Sequence, residues 1–254
     1  MKKLTSGLLV LIMMTIIISC SQKQPKDASG LLSEIDKNDA PNTLSPAEKK
    51  IGWQLLFDGK TTDGWHGFNM TTFPDCWAVE DGSLTMNTTG AAESLDILTP
   101  KMYRNFALSL EYKLTKGANS GIIFQIAEDM KYKFPYETGP EFQVIDHENW
   151  PRDTLTEWQI NGANYAMYPP LVKPYKPLGE WNQLFLVVKG NSVTQILNGE
   201  VVVRYEKYSE EWNKLRNSGK WTAFPDWGKF DEGYISLQNH GTKVWYRSIK
   251  LKEI

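Results

Sequence analysis

Phe106, Leu108, Leu110, Tyr112 and Leu114 alternate with Ala107, Ser109, Glu111 and Lys113. That period of two is the cleanest strand signal in the chain. Similar short runs recur at Trp53–Phe57, Ser94–Leu98, Gly121–Ala127, Phe142–Ile145, Tyr234–Gln238 and Val244–Leu251. Leu184–Val188 is apolar without a break and predicts a central strand. Asp81-Gly82 between Trp77–Glu80 and Ser83–Met86, and Asn198-Gly199 between Val193–Leu197 and Val201–Tyr205, supply the positive φ of tight hairpins. Ser209–Asn217 predicts a helix, Ser-capped with two glutamates in its first turn. Ser45-Pro46-Ala47-Glu48 has the form of a capping box opening a short helix.

About a dozen short strands with scarcely any helix predict an all-β protein, an antiparallel β-sandwich of jelly-roll type. The length beyond residue 50 suits one domain, 51–254. Within it, Gly139–His147 combines apolar alternation with two polar groups. Glu141 and Gln143 are two residues apart and share a strand face, while Phe142 and Val144 take the other. Such a strand suits the floor of a polar cleft, or simply a sheet with one solvated side. Asp146 falls out of that register.

The first residues follow another pattern. Two lysines precede an apolar run from Leu8 to Ile18, too short for a comfortable membrane span, ending at Ser19-Cys20. This resembles a bacterial lipoprotein signal: residues 1–19 are expected to be removed and Cys20 lipidated. Ser21 after the cysteine resembles outer-membrane rather than inner-membrane sorting, so the expected location is the cell envelope, with a membrane anchor through lipid. Residues 20–50, polar with few aromatics, read as a flexible tether.

Composition narrows the partners. Net charge is −2 and no long basic run occurs, which argues against nucleic acid. The other cysteine, Cys76, reads as a small buried hydrophobe. Ten tryptophans suit either sugar faces or the core. The segment Asp146–Pro177, with Trp150, Trp158, Tyr165 and Tyr168, is long enough to be a binding wall or lid.

Four motifs now fall in order: Trp53-Gln54-Leu55-Leu56-Phe57-Asp58-Gly59-Lys60, Asn119-Ser120-Gly121-Ile122, Gly139–Asp146, and Leu237-Gln238-Asn239-His240-Gly241 leading into Val244–Ile249. Together they resemble the 3-keto-disaccharide hydrolase family over Trp53–Ile254. The resemblance implies a concanavalin-like sandwich and a substrate that is a glycoside or oligosaccharide oxidised at C3. A C3 ketone acidifies the C2 proton; a base removes it, the C1 group is eliminated, and water re-adds. The site needs a base near C2, a donor at the C3 oxygen and an acid for the leaving oxygen. His240 is the expected base or acid, and Glu141 the second catalytic candidate, as base, as metal ligand or as the group orienting His240. Gln143, Gln238 and Asn119 are candidate hydroxyl binders, and Asp146 could hold a hydroxyl, a metal or a turn. Tyr136 and Trp221 could stack on sugar or belong to the core, and Lys220 could polarise the carbonyl. His147 is expected beside the site or exposed, and His66 in a loop. A divalent metal could stabilise the enolate, though no spacing requires one. The rival readings are a lectin-like surface module and an ordinary glycosidase with two carboxylates across a cleft.

Overall fold

The computed structural model describes residues 26–36, 40–86, 95–151 and 154–254. The expected signal, Cys20 and the start of the strand expected at Ser94 lie outside them. Helices α1 (Lys26–Ser33) and α2 (Pro46–Lys50) come first. Strands β1 (Gln54–Leu55), β2 (His66–Gly67), β3 (Trp77–Glu80), β4 (Ser83–Met86), β5 (Ile97–Leu98), β6 (Phe106–Leu114) and β7 (Asn119–Ile126) follow. Then come β8 (Glu141–Ile145), β9 (Asn182–Lys189), β10 (Ser192–Leu197), β11 (Glu200–Glu206), α3 (Glu210–Arg216), β12 (Tyr234–Leu237) and β13 (Val244–Glu253).

They form an antiparallel β-sandwich, as expected. One sheet runs β11-β10-β9-β6-β13-β4-β3, with β1 beside β13; the other runs β2-β5-β12-β7-β8. Alternation decides which side chains meet between the sheets. Leu108, Leu110 and Tyr112 of β6 and Leu184, Leu186 and Val188 of β9 pack there against Ile122, Phe124, Phe142, Val144 and Leu237 of the smaller sheet. Both hairpin turns have the positive φ their Asp-Gly and Asn-Gly pairs allow: 49° and 71° at Asp81-Gly82, 48° and 90° at Asn198-Gly199.

Phe185 and Val187 face away from that core yet are buried, because α1 covers them. Ala28 and Ile35 join Trp53, Phe185, Val187 and Ile196 in a second apolar cluster. This explains the unbroken apolar run of β9 and corrects the expected tether. Residues 26–36 and 40–50 are folded onto the large sheet rather than free. Glu34 accepts from Trp53 Nε1 (3.0 Å) and from Lys252 (2.8 Å). The Ser45–Glu48 capping box forms as expected. Glu48 also takes Lys250 of β13 at 2.7 and 2.9 Å, fastening α2 through a buried ion pair.

Candidate active site

The outer face of the small sheet holds the polar residues singled out by the sequence. In the register of β5, β12, β7 and β8, Leu98 pairs with Ser236, Ser236 with Ile123 and Ile123 with Glu141. One step along, Gln238 donates its backbone N–H to Gly121, which pairs with Gln143, and Asn239 N–H donates to the Asp96 carboxylate at 2.8 Å. Asp96, Asn119, Glu141, Gln143 and Gln238 therefore share one face, and all are buried. Loops cover it. Residues 162–165 run along the free edge of β8, exchanging backbone hydrogen bonds with Gln143 and placing Tyr165 N–H on Glu141 O at 2.9 Å. The long segment after Asp146 thus forms one wall.

Glu141 is the centre of the arrangement. Burial raises its pKa to about 8; Lys220 opposes that rise and the nearby Asp96 adds to it. Burial likewise raises Asp96 to about 7, against the opposing Asn239 N–H. Burial lowers the Lys220 pKa and Glu141 pulls it back up. The Lys220 ammonium stands 4.5, 4.8 and 4.9 Å from the ring centres of Tyr165, Trp221 and Tyr136, an aromatic surround that holds the cation in place. Lys220 stands over Tyr165, which runs along the free edge of β8, whereas Asp96 precedes β5 on the far side of β7 and β12, so the order across the face is Lys220, Glu141, Asp96. A cavity of about 290 Å³ opens beside Asp96, lined also by Phe134, Tyr136, Gln238, Asn239 and His240.

Local sequence fixes these positions. Tyr136 sits on a 3₁₀ turn over Pro135–Glu137, stacked on Phe134 at 5.1 Å. Lys220 opens a second such turn, Lys220–Ala223. Trp221, beneath it, is wholly buried, stacked 4.4 Å from Trp227, which stacks in turn on Trp212 of α3 at 5.9 Å. At Gly228, φ is +71° and a Cβ would come 2.7 Å from the Trp212 ring, so only glycine fits this return. Gly228 N–H donates to Thr138 O, tying the Lys220 segment to the Tyr136 turn.

A family model described as the 3-keto-alpha-glucoside-1,2-lyase-like domain matches residues 52–252. The chain belongs to this family. A relative from Bacteroides thetaiotaomicron named 3-keto-disaccharide hydrolase is 29% identical over 291 aligned positions, covering 99% of each chain. A crystal structure from Parabacteroides distasonis with a glycosyl hydrolase name matches at TM-score 0.80 and 40% identity, covering 85% of this chain and 100% of that one. A second, similarly named structure from that organism matches at TM-score 0.59 and 25% identity, covering 88% and 96%.

Within this keto-glucoside lyase-like domain the expected residues fare differently. His240 lines the same cavity as Asp96 and Gln238 but stands exposed at its rim, edge-on to Trp150 at 6.3 Å. Asn119 Oδ1 and Gln238 Oε1 are buried acceptors with no protein donor among the described residues. Gln143 is committed to structure, its amide donating to Gln159 O and accepting from Val144 N–H. Asp146 is a correction: its carboxylate accepts from the backbone of Gly117 and Asn149, closing the turn that ends β8, and the strand period points it away from Glu141. Trp221 is another, since a fully buried indole has no face left for sugar. His66 is not in a loop but on β2, paired with Glu128 at 3.2 Å. His147 is partly buried, edge-on to Tyr175 at 4.9 Å, and burial lowers its pKa. Cys76 is buried. No group of three or more His, Cys, Asp or Glu side chains comes together as a metal site among the described residues.

Asp96 is the site carboxylate not expected from the chain. Its signal was a lone carboxylate among Leu95, Ile97 and Leu98: an acid inside a short apolar strand run has to face either water or a site.

Proposed function

We propose that this chain cleaves glycosides carrying a ketone at C3 of the sugar, and that Glu141 is the base that takes the C2 proton. Family membership and the name of the Bacteroides relative support the substrate class. The observation that carries the chemical reading is Glu141 itself: a buried carboxyl with its pKa near 8, set between an ammonium and a second carboxyl. A binding module gains nothing by burying an acid this way, whereas proton transfer at neutral pH needs a group that titrates there.

In this reading Lys220 meets the C3 oxygen. As Glu141 removes the C2 proton, the C2–H pair forms the C2=C3 bond and the carbonyl pair moves to oxygen, beside the ammonium held by three rings. The enolate then expels the C1 oxygen and leaves a C1=C2 double bond. Water adding at C1, with the proton returned to C2 by Glu141, completes a net hydrolysis. The unpartnered acceptors of Asn119 and Gln238 take sugar hydroxyls. His240 and Trp150, at the rim, hold the leaving sugar. The reading includes a lipid anchor at Cys20 in the cell envelope, supported by the N-terminal signal; acyl labelling that disappears in Cys20→Ala tests it.

A 3-keto-disaccharide offered beside its unoxidised parent tests the reading. Turnover of the oxidised sugar is expected. Turnover of the parent alone would instead assign the two carboxyls to ordinary glycoside hydrolysis, and turnover of neither would end the enzymatic reading.

A further inference from the structure

We propose that Asp96 is the acid that protonates the leaving oxygen, and that His240 is not. This rests on the elimination reading above and adds its third participant. The order Lys220, Glu141, Asp96 across the sheet face parallels the order C3, C2, C1 in the sugar. With Lys220 at the C3 oxygen and Glu141 at C2, the next position falls to Asp96. The Asp96 carboxyl lies in the outer-face row two strands from Gly121, roughly 10 Å by the usual strand spacing. The Glu141 side chain leans over Gly121 and so narrows the gap between the two carboxyls.

One Asp96 oxygen accepts from Asn239 N–H, and the residue lines the 290 Å³ cavity that opens to the rim. Burial raises both carboxyls, Asp96 to about 7 and Glu141 to about 8, so the pair works from its minority form, with Glu141 ionised and the proton on Asp96. His240, by contrast, stands exposed at the mouth of that cavity, where a leaving sugar passes. Gln238, buried between Asp96 and Gly121 in the same row, keeps an acceptor for a hydroxyl next to the bond being broken.

The step balances. The enolate pair on the C3 oxygen re-forms C3=O, the former C2=C3 pair becomes C1=C2, and the C1–O bond breaks with its electrons on the leaving oxygen. That oxygen takes the Asp96 proton and departs as an alcohol. In the second half, water gives a proton back to the Asp96 carboxylate as its oxygen bonds C1. The C1=C2 pair moves to C2=C3, the carbonyl pair returns to the C3 oxygen, and Glu141 reprotonates C2. No oxidant or reductant is consumed.

The test compares two leaving groups, the sugar alcohol of a 3-keto-disaccharide and the nitrophenolate of a 4-nitrophenyl 3-keto-glucoside, which leaves without a proton. In Asp96→Asn, kcat/KM on the disaccharide is expected to fall about 10²–10⁴-fold, while the nitrophenyl substrate is cleaved as fast as by wild type or faster. His240→Ala is expected to raise KM on the disaccharide and leave kcat nearly unchanged. Equal losses on both substrates in Asp96→Asn, or a leaving-group-dependent loss in His240→Ala, would overturn the assignment. The wild-type enzyme supplies a check independent of folding: its kcat/KM for the disaccharide should have an alkaline limb that the nitrophenyl substrate lacks, and an identical limb for both refutes the role. A wild type that cleaves neither keto substrate removes the elimination reading itself, a failure distinct from that of Asp96 alone.

Discussion

Glu141 lies where a side chain on Gly121 would be: a Cβ built at position 121 comes 2.8 Å from both Cγ and Cδ of Glu141. The glycine on β7 is what lets a residue on β8 lean across its neighbour toward Asp96. Gly121→Ala therefore has to displace the carboxylate while leaving both strands paired. Since an ångström of misplacement can cost about 10²-fold, kcat/KM should drop by about that factor. A loss below threefold, in a protein whose melting curve is unchanged, would show that the close approach is irrelevant to catalysis.

Glu141→Gln should abolish turnover and stabilise the fold. The folded pKa, about 8, lies above the ordinary 4.5. The folded state therefore holds this proton more tightly than the unfolded chain, and stability drops as pH rises from about 4.5 to about 8. A glutamine escapes that loss. Denaturant titration at pH 7 should find the variant more stable, by about 3 kcal/mol, and the advantage should vanish near pH 4. A destabilised variant at pH 7 would contradict the account.

The pH profile follows from the same two carboxyls. On the proposed roles Glu141 must lose its proton and Asp96 must keep its own; burial raises both, Lys220 and Asp96 act on Glu141, and the Asn239 N–H acts on Asp96. Activity should rise toward alkaline pH as Glu141 ionises and fall as Asp96 does, giving a bell with limbs near 7 and 8. These limbs belong to the pair, not to either residue. A rate flat from pH 5 to pH 9 with the disaccharide would rule the pair out.

Lys220→Met keeps the aliphatic stem among its three rings and removes the charge. The expected change is in kcat, by about 10²–10³-fold, with little effect on KM, because the negative charge at the C3 oxygen arises only during reaction. A rise in KM at constant kcat would make Lys220 a ground-state binder instead.

Away from the site, Glu48→Gln should cost about 3–5 kcal/mol, since it leaves the buried Lys250 ammonium with a weaker partner. Burial by itself would raise the Glu48 pKa, but Lys250 and the N–H groups of Ser45 and Asp36 outweigh it and the net shift is downward. The contribution is present above pH 4.5 and lost as pH falls through the folded value. Urea unfolding at pH 7 and pH 3 should show the gap between wild type and variant close in acid.

Much of this was legible in the chain. Alternation gave β6 and β8 their faces, Asp-Gly and Asn-Gly gave the hairpins, and the spacing of Glu141 and Gln143 located the polar face. Two things were hidden, both for tertiary reasons. The polar composition of residues 20–50 concealed α1, because Ala28 and Ile35 are buried only against Phe185 and Val187 far along the chain. Asp96 lay in a strand run too short to show a period, and its meaning appears only when β12 and β7 bring it into the row of Gln238 and Gly121. The Leu237–Gly241 motif placed His240 on the cavity, but a motif does not tell a buried wall from an exposed rim.

The stack of Trp212, Trp227 and Trp221 gives the site an optical signature. Parallel indoles 4.4 and 5.9 Å apart couple their electronic transitions, so near-ultraviolet circular dichroism should be dominated by this one assembly. Because Lys220 stands directly on it, the spectrum reads the seating of that cation in the free protein, before any substrate is added.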